Sequence, residues 1–254
     1  MTVRVLVAAG LDPTGGAGIV ADVEALLAVG ARAMAVATAL TLQGPRGAAG
    51  WEVVPPRFVA RQVEELLAGR GARPLALKTG MLGGAATAAA LARLFSRPPL
   101  ARLPLVVDPV LAASSGLSLL GHGHRHSPLS ALAPLLARAT VATPNRPELE
   151  ALVGAPLTSD DDAVAAARKL PCAAVLVKGG HRAGEPVDLL VRRRAVRRFL
   201  GRRRPGTARG TGCRLASAMA GLLAQGATLE EAVRGAKRVV ERYLDAELGR
   251  GGPG

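Results

Sequence analysis

Short apolar runs alternate with longer Ala- and Leu-rich stretches along most of the chain. Val3–Ala9, Ala33–Leu40, Leu75–Lys78, Leu105–Asp108, Thr140–Thr143 and Ala173–Lys178 are near-continuous β-type runs, which predicts strands buried on both faces. Between them the spacing predicts helices over 16–29, 57–69, 84–96, 128–138, 146–153 and 160–170, with two more over 212–225 and 228–248. Thr228 with Glu231 three residues later forms a capping box for the last of these. Such alternation predicts an α/β fold with a mostly parallel sheet covered on both sides. The segment 187–200 breaks the pattern. Val187–Val191 and Ala195–Phe199, separated by arginines, read as a hairpin. No repeat or linker splits the chain, so 1–254 reads as one domain with a flexible tail over 249–254.

Parallel sheets of this kind bind ligands beyond the carboxyl ends of their strands, so the residues that follow each strand carry the functional information. Gly210-Thr211-Gly212-Cys213 opens a helix. Its glycines allow close backbone approach, and helix-start amides form an anion site suited to a transferring phosphoryl group. Cys213 in the first turn is expected to have a lowered thiol pKa. By itself the segment is also compatible with a plain helix start and a buried cysteine. Asn145-Arg146-Pro147-Glu148 places an amide and a carboxylate on one side of a starting helix turn. That arrangement suits hydrated Mg²⁺ beside phosphates, or ordinary helix capping. Lys178, at a strand end, is placed to meet a phosphate, though the position also suits a solvated lysine.

Other candidates fall away on their spacing. Gly15, Gly16 and Gly18 form GGxG rather than GxGxxG, and no acidic residue ends the next strand, which disfavours a dinucleotide site. No P-loop signature and no GxSxG hydrolase signature occurs. His122, His124 and His126 alternate in a Gly-bearing loop without fixed ligand geometry, and read as a solvated loop rather than a metal site.

Composition sharpens this picture in one respect. The chain has 254 residues, 49% hydrophobic and 20% charged, enough to bury a core without a staple. Cys172 and Cys213 form neither a CxxC pair nor a disulfide framework, which points to a reducing compartment. No apolar stretch is long enough for a membrane helix and no targeting signal opens the chain, so a cytoplasmic location is expected. Charge is the unusual property: 33 Lys plus Arg against 19 Asp plus Glu, a formal net charge of +14. The low aromatic content of 2% argues against a single-strand nucleic-acid platform. Arg192, Arg193, Arg194, Arg197, Arg198, Arg202, Arg203 and Arg204 crowd into the hairpin and the loop after it. They read mostly as a solvated face, with some able to draw a polyanionic nucleotide inward.

Taken in order, the motifs resemble those of the ribokinase-like superfamily, and within it the hydroxymethylpyrimidine and phosphomethylpyrimidine kinases. The resemblance is carried by Ala9–Gly18 with Ala21-Asp22, Leu42-Gln43, Lys78–Leu82, Asp108-Pro109-Val110, Thr143-Pro144-Asn145, Lys178–His181 and Gly210–Cys213. It implies a three-layer α/β/α sandwich, ATP with Mg²⁺, and two successive phosphorylations of an aminopyrimidine alcohol in thiamine biosynthesis, often by a homodimer. It implies Gln43 as reader of the pyrimidine, whose ring nitrogen and amine suit a side-chain amide. Gly10, Asp22, Met81 and Val110 would line the same pocket. Cys213 would deprotonate or position the hydroxyl while the amides of Gly210, Thr211 and Gly212 hold the phosphoryl group. Asp108, Asn145 and Glu148 would organise Mg²⁺, with Lys178, Asn145 and Thr211 on the nucleotide. The chain departs from the family in having Ala208-Arg209 where a histidine usually precedes Gly-Thr-Gly-Cys, and Gly44-Pro45 where Asn-Thr commonly follows the glutamine. A pyridoxal kinase of the same fold and a catalytically silent basic binding module are the alternatives; Gln43 favours the aminopyrimidine.

Overall fold

Alternate side chains of one strand feed two separate cores. Leu6 and Ala8 pack into one, Val5, Val7 and Ala9 into the other, and none of the five is more than 1% exposed. They belong to β1 (Arg4–Leu11), an interior strand of a three-layer sandwich seen in a computed structural model that describes residues 2–44, 47–68, 73–111, 127–180, 185–204, 206 and 208–249. The other strands are β2 (Arg32–Gly44), β3 (Gly47–Val53), β4 (Ala76–Thr79), β5 (Leu105–Val107), β6 (Val141–Ala142), β7 (Ala174–Val177), β8 (Val187–Arg192) and β9 (Val196–Leu200). The helices are α1 (Gly18–Ala28), α2 (Pro56–Ala68), α3 (Ala85–Phe95), α4 (Pro128–Leu136), α5 (Arg146–Val153), α6 (Asp160–Ala167), α7 (Thr211–Ala224) and α8 (Leu229–Gly249). Helices α2 to α6 cover one face, and α1, α7 and α8 the other. Each large side chain buried between the layers contributes about 1.5–3 kcal/mol.

The sheet runs β3-β2-β1-β4-β5-β6-β7-β8-β9, parallel from β2 through β7 and antiparallel at both ends. The chain leaves β1 for β2 on one side, while β4 lies on the other. This opens a crevice at the carboxyl ends of β1 and β4 where a ligand can enter. A register irregularity between Ala9 and Gly10 falls at its lip.

The predicted parallel strands and the hairpin over 187–200 are present, the latter as β8 and β9. β3 was not expected. Gly47, Ala48 and Gly50 have poor strand propensity, and their strand exists because β2 continues to Gly44 and pairs with it antiparallel. Gln43, expected just after a strand, therefore lies within one, at a register irregularity beside Leu42. His122, His124, His126 and His181 lie outside the described residues, as do residues 250–254 of the expected tail, whereas its first residue, Gly249, is the last of α8. Among the described residues no helix is long and apolar enough to cross a membrane.

Candidate active site

Helix α7 starts where only glycine fits. Gly210 sits at φ 68°, in the left-handed region, and a Cβ there would stand 2.2 Å from the Gly16 carbonyl oxygen. No side chain caps the helix, so its first amides remain available to an anion, with the dipole's positive end behind them. A Cβ on Gly212 would lie 2.9 Å from Lys178 Nζ. The turn and the cation thus face each other, as a phosphate-binding reading requires.

These groups line a cavity of about 770 Å³ at the carboxyl ends of the parallel strands. Of the residues expected from sequence, Gly10, Gln43, Met81 and Val110 line it, together with Asp108, Asn145, Glu148 and Lys178 and the whole turn Gly210–Cys213. Gly10 touches Met81 closely: a Cβ there would meet the Met81 sulfur at 2.8 Å. Among the described residues Gln43 has a single side-chain contact, a long 3.4 Å one from Thr41 Oγ1 to its Oε1, and its amide faces the cavity.

Asp22 is placed differently from the expectation. It lies behind the cavity wall at 0% exposure, its Oδ1 and Oδ2 accepting from Lys78 Nζ at 2.7 and 2.8 Å, and its Oδ1 also from Ser217 Oγ at 2.7 Å. Lys78, not Asp22, is among the residues that line the cavity, although it too has no exposed surface. Burial pushes the Asp22 carboxyl up while Lys78 and Ser217 pull it down. Burial alone would neutralise Lys78 as well, but the carboxylates of Asp22, first, and Asp108 hold its ammonium above the ordinary lysine value. With both oxygens so close, the pair is held as ions.

Cys213 reverses an expectation. The start of a helix and the nearby Lys78 do favour a thiolate, but packing round the sulfur dominates and pushes the thiol up to about 12. Near neutral pH it is a protonated thiol.

Beside this turn, Asp108 Oδ1 accepts from Lys178 Nζ at 2.9 Å and from Thr143 Oγ1 at 3.1 Å. Burial would raise this carboxyl, but Lys178 and Lys78 hold it below the ordinary range. Lys178 also lies 3.7 Å from Glu148 Oε2, and the two carboxylates raise its pKa against the effect of burial. Burial raises Glu148. Asn145 and Glu148 form a reciprocal capping box: Glu148 N donates to Asn145 Oδ1 and Asn145 N to Glu148 Oε2, both at 2.7 Å. Among the described residues no group of three or more His, Cys, Asp and Glu side chains could hold a metal ion. Both bonds to Asp108 fall on Oδ1, and Oδ2 lies 4.0 Å from where a Cβ on Gly212 would stand. One carboxylate oxygen beside the anion turn suits a Mg²⁺ ligated mainly by phosphates and water.

Two features were not identified from sequence. Arg209 and Asp12 face each other at the cavity mouth, Arg209 Nη2 donating to Asp12 Oδ2 at 2.9 Å. A second cavity of about 410 Å³ shares Thr211, Gly212 and Lys178 with the first and is walled by Asp188, Lys237 and Arg202–Arg204. The arginine cluster is thus not merely a solvated face. Three members border this cavity, Arg204 pairs with Asp245, Arg192 with Glu230 and Arg198 with Asp160.

Residues 12–253 match the family model described as phosphomethylpyrimidine kinase. The chain is 41% identical over 254 residues to the thiamine biosynthesis bifunctional protein of Geobacter sulfurreducens, covering 97% of this chain but only half of that relative's length. It is 39% identical over 253 residues to the hydroxymethylpyrimidine/phosphomethylpyrimidine kinase of Streptomyces coelicolor, covering 98% of this chain and 91% of the relative. Its fold is similar to that of the pyridoxal kinase from Staphylococcus aureus in complex with ADP, with a TM-score of 0.81 and 28% identity over 95% of this chain and 87% of that one.

Proposed function

The chain belongs to the phosphomethylpyrimidine kinase family, and from that premise we propose how its two cavities divide the reaction. The protein is an ATP-dependent phosphotransferase with a ribokinase-like fold. It phosphorylates 4-amino-5-hydroxymethyl-2-methylpyrimidine and then the monophosphate, two steps of thiamine biosynthesis. The observation that carries the division of labour is the uncapped start of α7, which stands between the cavities with Thr211 and Gly212 in the walls of both.

In this reading the larger cavity takes the acceptor. Gln43 pairs with the aminopyrimidine edge, while Gly10, Met81 and Val110 set the ring's plane. The smaller cavity takes the base and ribose of the nucleotide, with the phosphates running over Gly212 towards Lys178. The amides of 210–213 stabilise charge on the transferring group. A thiol raised to about 12 keeps its proton near neutral pH, so Cys213 positions the acceptor hydroxyl rather than removing its proton. Mg²⁺ belongs to the proposal: Asp108, Asn145 and Glu148 would hold the ion and its waters beside the turn, where it would supply neutralisation of phosphate charge. We also propose a cytoplasmic enzyme, and a homodimer formed through exposed Leu40, Leu42 and Val53 of β2 and β3.

The test is direct. Purified protein with Mg-ATP should release ADP when the hydroxymethylpyrimidine is added, with mono- and diphosphate products seen by mass spectrometry. No ADP sinks the reading. Pyridoxal in the same assay measures acceptor preference, and sedimentation measures the oligomer.

A further inference from the structure

Among the described residues the acceptor cavity has three cations in its walls, Lys78, Lys178 and Arg209. Two are committed. Lys78 is bound by both oxygens of Asp22, and Lys178 lies between Asp108 and Glu148. Arg209 differs. It stands at the mouth, its side chain 36% exposed, and donates from Nη2 to Asp12 and from Nη1 to Thr14 Oγ1 at 3.2 Å. Those bonds leave most of its five N–H donors unused.

The counter-ion is built to let it go. Asp12 also accepts from Thr14 N at 2.9 Å, Thr14 Oγ1 at 2.8 Å and Ala17 N at 3.0 Å. If the guanidinium left, this nearly buried carboxylate would keep three neutral donors, so departure does not strand a bare charge. The main chain of Arg209, by contrast, is pinned: its carbonyl accepts from Tyr243 Oη at 3.0 Å and Arg214 Nη1 at 3.4 Å. The side chain can swing on a fixed base, directly beside the Gly210 turn.

The two acceptors differ most in charge. The alcohol is neutral, whereas its monophosphate brings about −1.5 to −2 charge into the same cavity. A fixed cation suited to the second would be left unpaired by the first. An arginine with an internal, dispensable counter-ion serves both.

We propose that Arg209 is the specificity-determining residue of the second phosphorylation: its guanidinium rests on Asp12 and Thr14 beside the alcohol, and passes to the phosphate of the monophosphate acceptor. The inference rests on the two-step activity above. Arg209 makes no bond in the transfer itself. An oxygen of the acceptor's phosphate attacks the γ-phosphorus of ATP, the bond to the β-bridging oxygen breaks, and ADP leaves.

The experiment compares kcat and KM on both acceptors for wild type, Arg209→Gln, Arg209→Lys and Asp12→Asn. Arg209→Gln should lower the kcat/KM ratio of monophosphate to alcohol at least about tenfold, chiefly by raising KM for the monophosphate, with Arg209→Lys restoring part. Asp12→Asn breaks the resting ion pair but keeps the cation, and should leave that ratio at or above wild type. An equal fall on both acceptors, an unchanged ratio in Arg209→Gln, or a ratio that falls in Asp12→Asn overturns the proposal. So does a rise in KM for ATP with both acceptors, which would move the residue to the nucleotide. A wild-type protein that phosphorylates the alcohol but not the monophosphate sinks the two-step activity and the proposal together. One that uses both with an unchanged Arg209→Gln ratio sinks the proposal alone.

Discussion

Lys78 holds Asp22 with Nζ 2.7 and 2.8 Å from the two carboxylate oxygens, and neither side chain has any exposed surface. A buried ion pair of this kind is sensitive to the loss of one partner far more than of both. Asp22→Ala should cost about 3–5 kcal/mol in urea unfolding, because the ammonium is left alone in the core. Asp22→Ala combined with Lys78→Met should recover a large part of it. A double variant no more stable than the single one would refute the ion-pair account.

Cys213 and Cys172 have thiols raised to about 12 and about 11, in both cases by burial. At pH 7.5 a thiol near 12 is ionised in roughly one molecule in 10⁴–10⁵, against about one in ten for an ordinary cysteine. The free protein should therefore keep its kinase activity through an iodoacetamide treatment that fully alkylates glutathione. Rapid loss, with mass spectrometry showing label on Cys213, would mean that the thiolate is the resting form.

Gly210→Ala introduces a Cβ 2.2 Å from the Gly16 oxygen at a backbone angle that alanine rarely adopts. The turn must shift, and its amides with it. We expect kcat to fall by about 10²-fold or more with a smaller change in the acceptor's KM. A proportionate rise in KM at constant kcat would place the turn in ground-state binding instead.

Acid sensitivity has an identifiable source at two helix starts. Hydrogen bonds from Thr158, first of all its side chain, and from Ser159 lower Asp162 to about 2, and Arg192 lowers Glu230 to about 2. A depressed carboxylate contributes its stability above the unfolded-state value and loses it as pH falls. These contributions are full above about pH 4.5 and disappear on the way down through pH 2. Asp162→Asn should shrink the loss of urea midpoint between pH 6 and pH 2.5. An identical loss in wild type and variant would remove Asp162 from the acid transition.

Features whose cause is local are legible in the amino-acid sequence alone. The Gly210–Cys213 turn is legible as a glycine-bearing helix start, though its phosphoryl reading comes only from the motifs that accompany it, and Asn145 with Glu148 three positions later spells a capping box. Features that depend on distant partners were not. Lys78 is an ordinary strand-end lysine until Asp22, 56 residues earlier, folds against it, and Arg209 looks like a simple departure until Asp12, 197 residues earlier, arrives. The family resemblance implies Asp22 in the pocket lining, yet its side chain is fully buried and not among the cavity's lining residues. For Cys213 two opposing effects were at work. The helix start is written in sequence, whereas the packing that outweighs it is not. β3 escaped notice because a Gly- and Ala-rich strand owes its existence to the partner it pairs with.

Helix α7 presents its first turn to both cavities, while Leu215, Ala216, Ala218, Met219 and Ala220 are buried against the sheet. Robustness and turnover are consequently written into the same fourteen residues and cannot drift apart. A library selected only for heat resistance, with no demand on activity, should still leave α7 its least diversified helix, whereas the outer face of α2 accumulates changes freely.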